Sequence, residues 1–432
     1  MRTKERYMKK ALSLSSLVLA AAASAATTQL TPSSDFVTAF TNAKSGDTLR
    51  LEAGTYSIEY TAGSANTITL AKTGTPSAPI VIMADGFAAA ILDFNFPENT
   101  YIQNSYGLYV TGSYYEFHGI AVTRAGYQGA YVTGSYNSFT NCAFYENRNS
   151  GLEINKGGNH TMVTRVDSYR NFDPKKNGSM ADGFASKQTQ GAGNKFYECR
   201  AWENSDDGFD AFDSPDSIIV IDSWAFRNGV NVFGADSFAG NGNGFKLGGN
   251  SALANNRCTR CIAFGNPAKG FDQNNNTGGI TVEESIGYAN GINFGMGGTL
   301  ASGQKHTLYN DISYAGSSSD SYGSHNGSNN GWDLSVTVNA SDFQGIDTAQ
   351  ATLPRNVDGS LQTIKFLHLA AGSDLIDAGK DIGYDYNGKA PDLGPFETGG
   401  STTTLKSAQR ARATGILKPH RYNLLGRQIK EE

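Results

Sequence analysis

The chain has 432 residues, 39% of them hydrophobic, which is ample for a large buried core. A formal net charge of −5 gives no electrostatic footprint for nucleic acid. The 51 glycines, 21 tyrosines and 23 phenylalanines, with many asparagines, argue against a helical protein and for an all-β one, because Gly and Asn supply the φ > 0 corners of tight turns.

In chain order, MRTKERYMKK and ALSLSSLVLAAAASA give a basic n-region, a short apolar h-region and an A-x-A site at Ala23-Ser24-Ala25. Residues 1–25 are therefore expected to be a signal peptide cleaved after Ala25, with the mature protein secreted to the medium or the cell surface. No later segment is apolar enough for a membrane span. Residues 33–60 open with a short amphipathic pattern in DFVTAFTNAKSGD, which predicts a capping helix over the first coil of a repeating domain.

From there the chain repeats. NSFTNCAFYEN (137–147), NKFYECRAWEN (194–204) and NRCTRCIAFGN (256–266) share their spacing, and VDSYRN, SWAFRN and SIGYAN share the shorter ending. Stacking them puts Cys142, Val166, Cys199, Ser223, Cys261 and Ser285 in one column and Asn147, Asn171, Asn204, Asn228, Asn266 and Asn290 in another. The asparagines are 24, 33, 24, 38 and 24 residues apart, a constant coil with loop insertions. Short β-branched and aromatic runs such as PIVIMAD, GLYVTG, GAYVTG and SIIVID punctuate this period. The pattern predicts an all-β right-handed parallel β-helix, a solenoid whose coils stack at about 4.8 Å. The cysteines, including the C-x-x-C of Cys258 and Cys261, are then interior residues rather than a zinc or redox site, and the asparagines line a turn and bond along the stack.

Residues 26–397 are expected to form this one domain, although 335–397 carry no coil repeat. Residues 398–410 read as a linker and 411–432 as a basic tail, a candidate sorting or attachment segment.

Aligning the coils on Gly-Phe instead brings ADGFAS (181–186), DDGFDA (206–211), GNGFKL (242–247) and AKGFDQ (268–273) together. Asp182, Asp207, Asn243 and Lys269 share a column, as do Ala185, Asp210, Lys246 and Asp272. Asp182, Asp206, Asp207 and Asp210 then converge from adjacent coils beside Lys246. So many carboxylates raise one another's pKa unless a cation offsets them, and hard oxygen ligands in this number suit Ca²⁺. Asp213 and Asp216 are assigned to the following turn. The glycines around Lys246 are expected to leave it open to a substrate. Its own pKa is pulled down by a neighbouring Ca²⁺ and up by the carboxylates. A Ca²⁺ that acidifies the proton α to a substrate carboxylate, with a lysine base to remove it, is the chemistry of β-elimination on a uronic-acid polysaccharide.

At these residues the sequence resembles the pectate lyases of polysaccharide lyase family 9 over roughly residues 45–397. The likeness is strongest in ADGFASKQTQGAGNKFYECRAWENSDDGFDAF, in GNGNGFKLGG and in SDLIDAG and APDLGPFE near the end. The resemblance implies one catalytic Ca²⁺ held by Asp182, Asp206, Asp207 and Asp210, with Lys246 as the base. It further implies polygalacturonate as partner, and a long solenoid with capped ends is expected to be a monomer. A lyase for another uronate polymer such as rhamnogalacturonan is the nearest alternative. An inverting polygalacturonase would need a Gly-His-Gly that none of the six histidines supplies. A non-catalytic carbohydrate-binding β-helix would need aromatic platforms, for which Tyr127, Tyr131, Trp202, Trp224 and Trp332 are candidates, most of them better suited to core stacking.

Overall fold

The computed structural model describes residues 25–399. The expected signal segment, apart from Ala25, and the basic tail lie outside the described residues, as does nearly all of the linker. Among the described residues, parallel strands form three sheets of twelve, nine and ten strands, each complete coil giving one strand to each sheet and the end coils fewer. No helix among them is long and apolar enough to cross a membrane.

The repeat places the side chains as the columns require. In the nine-stranded sheet Phe184 pairs with Phe209, Phe209 with Phe245, Phe245 with Phe271 and Phe271 with Phe294. Their rings stack inside the coil at 4.9–5.1 Å between centroids. Cys142, Cys199, Cys258 and Cys261 are free, buried thiols. Ser223 and Ser285 share the cysteine column, their hydroxyl oxygens accepting from the amides of Cys199 and Cys261 at 3.0 Å. The asparagine column is a buried ladder in which each carboxamide donates to the next Asn Oδ1, at 2.8–3.2 Å from Asn147 through to Asn290.

Both ends and one flank are covered. The helix Phe36–Asn42 caps the first coil with Phe36 and Phe40 buried, its Asp35 accepting from the Thr38 amide at 3.1 Å. At the other end Trp332 stacks on Tyr322 and meets Phe294 edge-on. The segment without a repeat is a strap. Phe343, Phe366, Leu367, Leu369, Leu375 and Leu393 pack on Trp224, Phe226, Phe264 and Ile312 of the ten-stranded sheet, making a second core outside the coil. Trp202 stacks between Tyr169 and Phe226 of the same sheet. The three tryptophans thus serve packing, whereas Tyr127 and Tyr131 join a group of rings outside the coil on the side of the nine-stranded sheet.

Candidate active site

The nine-stranded sheet carries the predicted constellation. Ala185 pairs with Asp210, Asp210 with Lys246 and Lys246 with Asp272, so residues far apart in sequence occupy successive rungs. Since Phe209 and Phe245 enter the core, Asp210 and Lys246 must face outward. One carboxylate oxygen from each of Asp182, Asp207 and Asp210 lies within 4.8 Å of the others, and all three residues are buried.

Asp206, the fourth expected ligand, directly precedes Asp207 in the chain and is buried as well. Its two oxygens accept from the amides of Met180 at 2.8 Å and Asn241 at 2.6 Å, clamping the loops that precede both coils. Lys246 Nζ donates to Asp207 Oδ2 at 3.0 Å and lies 3.6 Å from Asp210 Oδ1, over the Phe212 ring. The side chain that sequence reasoning missed is Lys187. It is buried, and its Nζ donates to Asp182 Oδ2 at 2.7 Å and Asp210 Oδ2 at 3.0 Å. Its position in ADGFASK, just past a strand and outside every repeat column, gave no periodic signal.

Four aspartates against two lysines leave two negative charges uncompensated, and the titration of the cluster reflects it. Burial pushes Asp182 up to about 6 against the pull of Lys187, with the charges of Asp210 and Asp207 adding to the rise. Burial and the charges of Asp207 and Asp182 push Asp206 up to about 8. Asp207 is also raised, chiefly by burial, while at Asp210 the two lysines overcome burial and hold it low. Burial works against the Lys246 ammonium, but the carboxylates win and hold its pKa above the ordinary lysine value.

The glycines near Lys246 turn out to serve close packing rather than access. A Cβ on Gly248 would lie 2.3 Å from the Asn276 side chain, and one on Gly249 2.3 Å from the Phe212 ring. Asp213 sits in a turn with φ +55, and Asp216 gives its carbonyl to Gln190 and Ser214, as expected for residues leading to the next strand. Arg227 and Arg257 are ion-paired to Glu203 and Glu283, and Arg260 to Asp222, all away from the cluster.

The family model for the "Pel9A-like, right handed beta helix region" matches residues 17–330. The chain belongs to the Pel9A-like pectate lyases. It is therefore a polysaccharide lyase with a right-handed parallel β-helix, as the repeat implied. Pectate lyase L of Dickeya chrysanthemi is 54% identical over 363 residues, covering 84% of this chain and 85% of that one. The crystal structure of pectate lyase Pel9A superposes with a TM-score of 0.83 at 50% identity, over 86% of this chain and 96% of that one. A rhamnogalacturonan lyase superposes at 0.64 and 25% identity, over 76% of this chain and 89% of that one.

Proposed function

We propose that this protein is an exported, Ca²⁺-dependent pectate lyase that cleaves α-1,4-polygalacturonate by β-elimination, with Lys246 as the base. The observation that carries the reading is the buried trio of Asp182, Asp207 and Asp210 with Lys246 in hydrogen-bond contact on the next rung. The donor set fits a hard divalent cation: it is all carboxylate, and its excess of two negative charges is raised in pKa rather than neutralised. Asp182, Asp206, Asp207 and Asp210 would hold the ion, Asp206 through oxygens that also accept from the Met180 and Asn241 amides and so tie the loops to the site. When bound, Ca²⁺ would join these carboxylates to a uronate carboxylate and acidify the proton α to it.

Lys246 must be neutral to accept that proton, and the carboxylates that hold its pKa up are the proposed ligands. Once their charge is offset, its pKa falls and the base becomes available toward alkaline pH. The α proton passes to Lys246 Nζ, a carbon–carbon double bond forms, and the bond to the glycosidic oxygen at the β carbon breaks. The leaving oxygen takes up a proton, and no water is consumed. Export rests on the leader-like pattern of residues 1–25.

The test follows ultraviolet absorbance of unsaturated uronate from polygalacturonate, with Ca²⁺ and with chelator, for wild type and Lys246→Ala. Product with Ca²⁺ alone, and a loss of about 10²-fold or more in the variant, is expected. A wild type silent on polygalacturonate but active on rhamnogalacturonan would move the substrate to that of the second structural relative. Silence on every uronate polymer would overturn the reading.

A further inference from the structure

On the outer face of the nine-stranded sheet, the column that holds Lys246 and Asp210 continues through Ala185 and Glu153 to Tyr131 and Tyr109. Leu108, Val110, Ala130 and Val132 turn into the core, so Tyr109 and Tyr131 face the same side as the cluster. Tyr106 lies over them, stacked on Tyr131 at 4.8 Å and tilted against Tyr109 at 5.0 Å. Tyr127 adds its ring to Tyr106 at 5.6 Å and to Tyr101 at 5.3 Å. Tyr131 is three rungs from Asp210, roughly 14 Å at the strand spacing.

Two lysines border these rings. Lys156 Nζ lies 5.7 Å from the Tyr131 centroid and Lys175 Nζ 5.2 Å from that of Tyr101. Both side chains are exposed, and neither ammonium pairs with a described carboxylate. Tyr106 and Tyr131 are buried beneath this group, so the rings within reach of a ligand are the part-exposed Tyr101, Tyr109 and Tyr127. A part-exposed aromatic ring suits the C–H side of a pyranose, and ammonium groups without a carboxylate partner suit a ligand that carries a carboxylate on each unit. The tyrosine rings hold the two ammonium groups in place without neutralising them, so both charges remain available to an anionic ligand.

We propose that this tyrosine and lysine surface is a remote binding platform for the polyuronate chain, holding the saccharide units that lie several residues away from the bond being cleaved. This deepens the pectate lyase reading and rests on it for the identity of the polymer. Binding energy from remote units is then available to hold the reacting unit against Lys246. The polymer lies along the solenoid axis, one run of strands serving both chemistry and grip.

Affinity electrophoresis in gels containing polygalacturonate, run with chelator, reads binding without cleavage, and kcat/KM against oligogalacturonate length reads its use. The variants are Lys156→Glu/Lys175→Glu and Tyr127→Ala, all at solvent-accessible positions. Lys365→Glu/Lys389→Glu, on the strap, controls for net charge. Wild type and the control should be retarded by the polymer, and both platform variants should bind about tenfold more weakly. The gain in kcat/KM on lengthening the substrate should shrink with them. If both platform variants migrate and gain like wild type, the platform is overturned while the lyase reading stands. A wild type that is retarded but cleaves no uronate polymer overturns the lyase reading and leaves the platform. One that does neither overturns both.

Discussion

Four aspartates and two lysines share the centre of the nine-stranded sheet, and their imbalance dictates how the metal-free protein meets pH. Asp182 is raised to about 6 and Asp206 to about 8 from an ordinary 3.8. Between those values the folded state binds protons that the unfolded chain has released, so stability falls as pH rises through the window. Thermal melts in chelator should show a decline from pH 5 to pH 9. Added Ca²⁺ should remove most of it, contributing about 2.7 kcal/mol at a hundred times Kd. The same decline with and without Ca²⁺ would count against the ligand set. Lys187, bonded to both Asp182 and Asp210, is a resident counter-charge that any cation must share the site with. Lys187→Met should therefore lower metal-free stability by about 3–5 kcal/mol, the scale of a broken buried pair, yet tighten Ca²⁺ binding in calorimetry. Weaker Ca²⁺ binding in that variant would make Lys187 part of the ion's support instead. The contrast with Lys246 shows what a sequence exposes. Asp182, Asp207, Asp210 and Lys246 fall in columns that repeat, so the period alone brings them together. Lys187 and the Met180 and Asn241 amides that donate to Asp206 lie just outside the aligned segments, where neighbouring coils carry other residue types, and their contacts depend on loop shape that no periodicity encodes.

The recurring Gly-Phe element joins that site to the stack beneath it. Phe fills the core, and Gly leaves room for the asparagine ladder of the neighbouring turn. A Cβ on Gly183 would lie 2.8 Å from Asn204 Nδ2, and one on Gly208 2.8 Å from Asn228 Nδ2 and 2.6 Å from the Gly244 carbonyl oxygen. Gly208→Ala pushes on backbone that cannot yield locally, between Asp207 and Asp210. It should cost about 1–3 kcal/mol and weaken Ca²⁺ binding with it. Loss of stability with Ca²⁺ affinity intact would separate the stack from the site. Asn204 Oδ1 accepts from both the amide and the carboxamide of Asn171, and its Nδ2 donates to Asn228 Oδ1 and the Ser168 carbonyl. Asn204→Ala orphans the buried amide of Asn171, whose carboxamide keeps the Phe144 carbonyl and Ser168 Oγ, at about 1–3 kcal/mol, a loss that urea denaturation will read directly. This ladder was legible because one residue type recurs at one turn of the coil. The glycines flanking Lys246 were legible only as glycines. That Gly248 and Gly249 admit Asn276 and Phe212, rather than substrate, is settled by partners far along the chain.

At the scale of the whole molecule, the strap makes a second core on a sheet that the site does not use. Its segment from 335 to 397 has no repeat, so its docking could not be read from period; apolar residues scattered through a loop-rich stretch fit many surfaces. What fixes it is Asp167, which accepts from Arg200 Nε at 3.0 Å on the next rung and from Arg355 Nε at 2.9 Å on the strap. Arg200 also donates to the strap carbonyls of Ala351 and Leu353 at 2.7 and 3.0 Å. Asp167→Asn would leave two buried guanidinium groups without their anion, and should cost about 3–5 kcal/mol in equilibrium unfolding. Burial alone would raise the Asp167 carboxyl, but the two arginines overcome it and hold it below its ordinary 3.8. A lowered carboxyl contributes stability above the unfolded value and loses it as pH falls through the folded one. The gap between wild type and Asp167→Asn should accordingly be full at neutral pH and narrow below about pH 4. Because the strap lies on the ten-stranded sheet, Ca²⁺ affinity and the Lys246-dependent rate should match wild type under folded conditions. A variant that kept its fold but lost Ca²⁺ binding would instead show that the two faces of the solenoid are coupled through the coils between them.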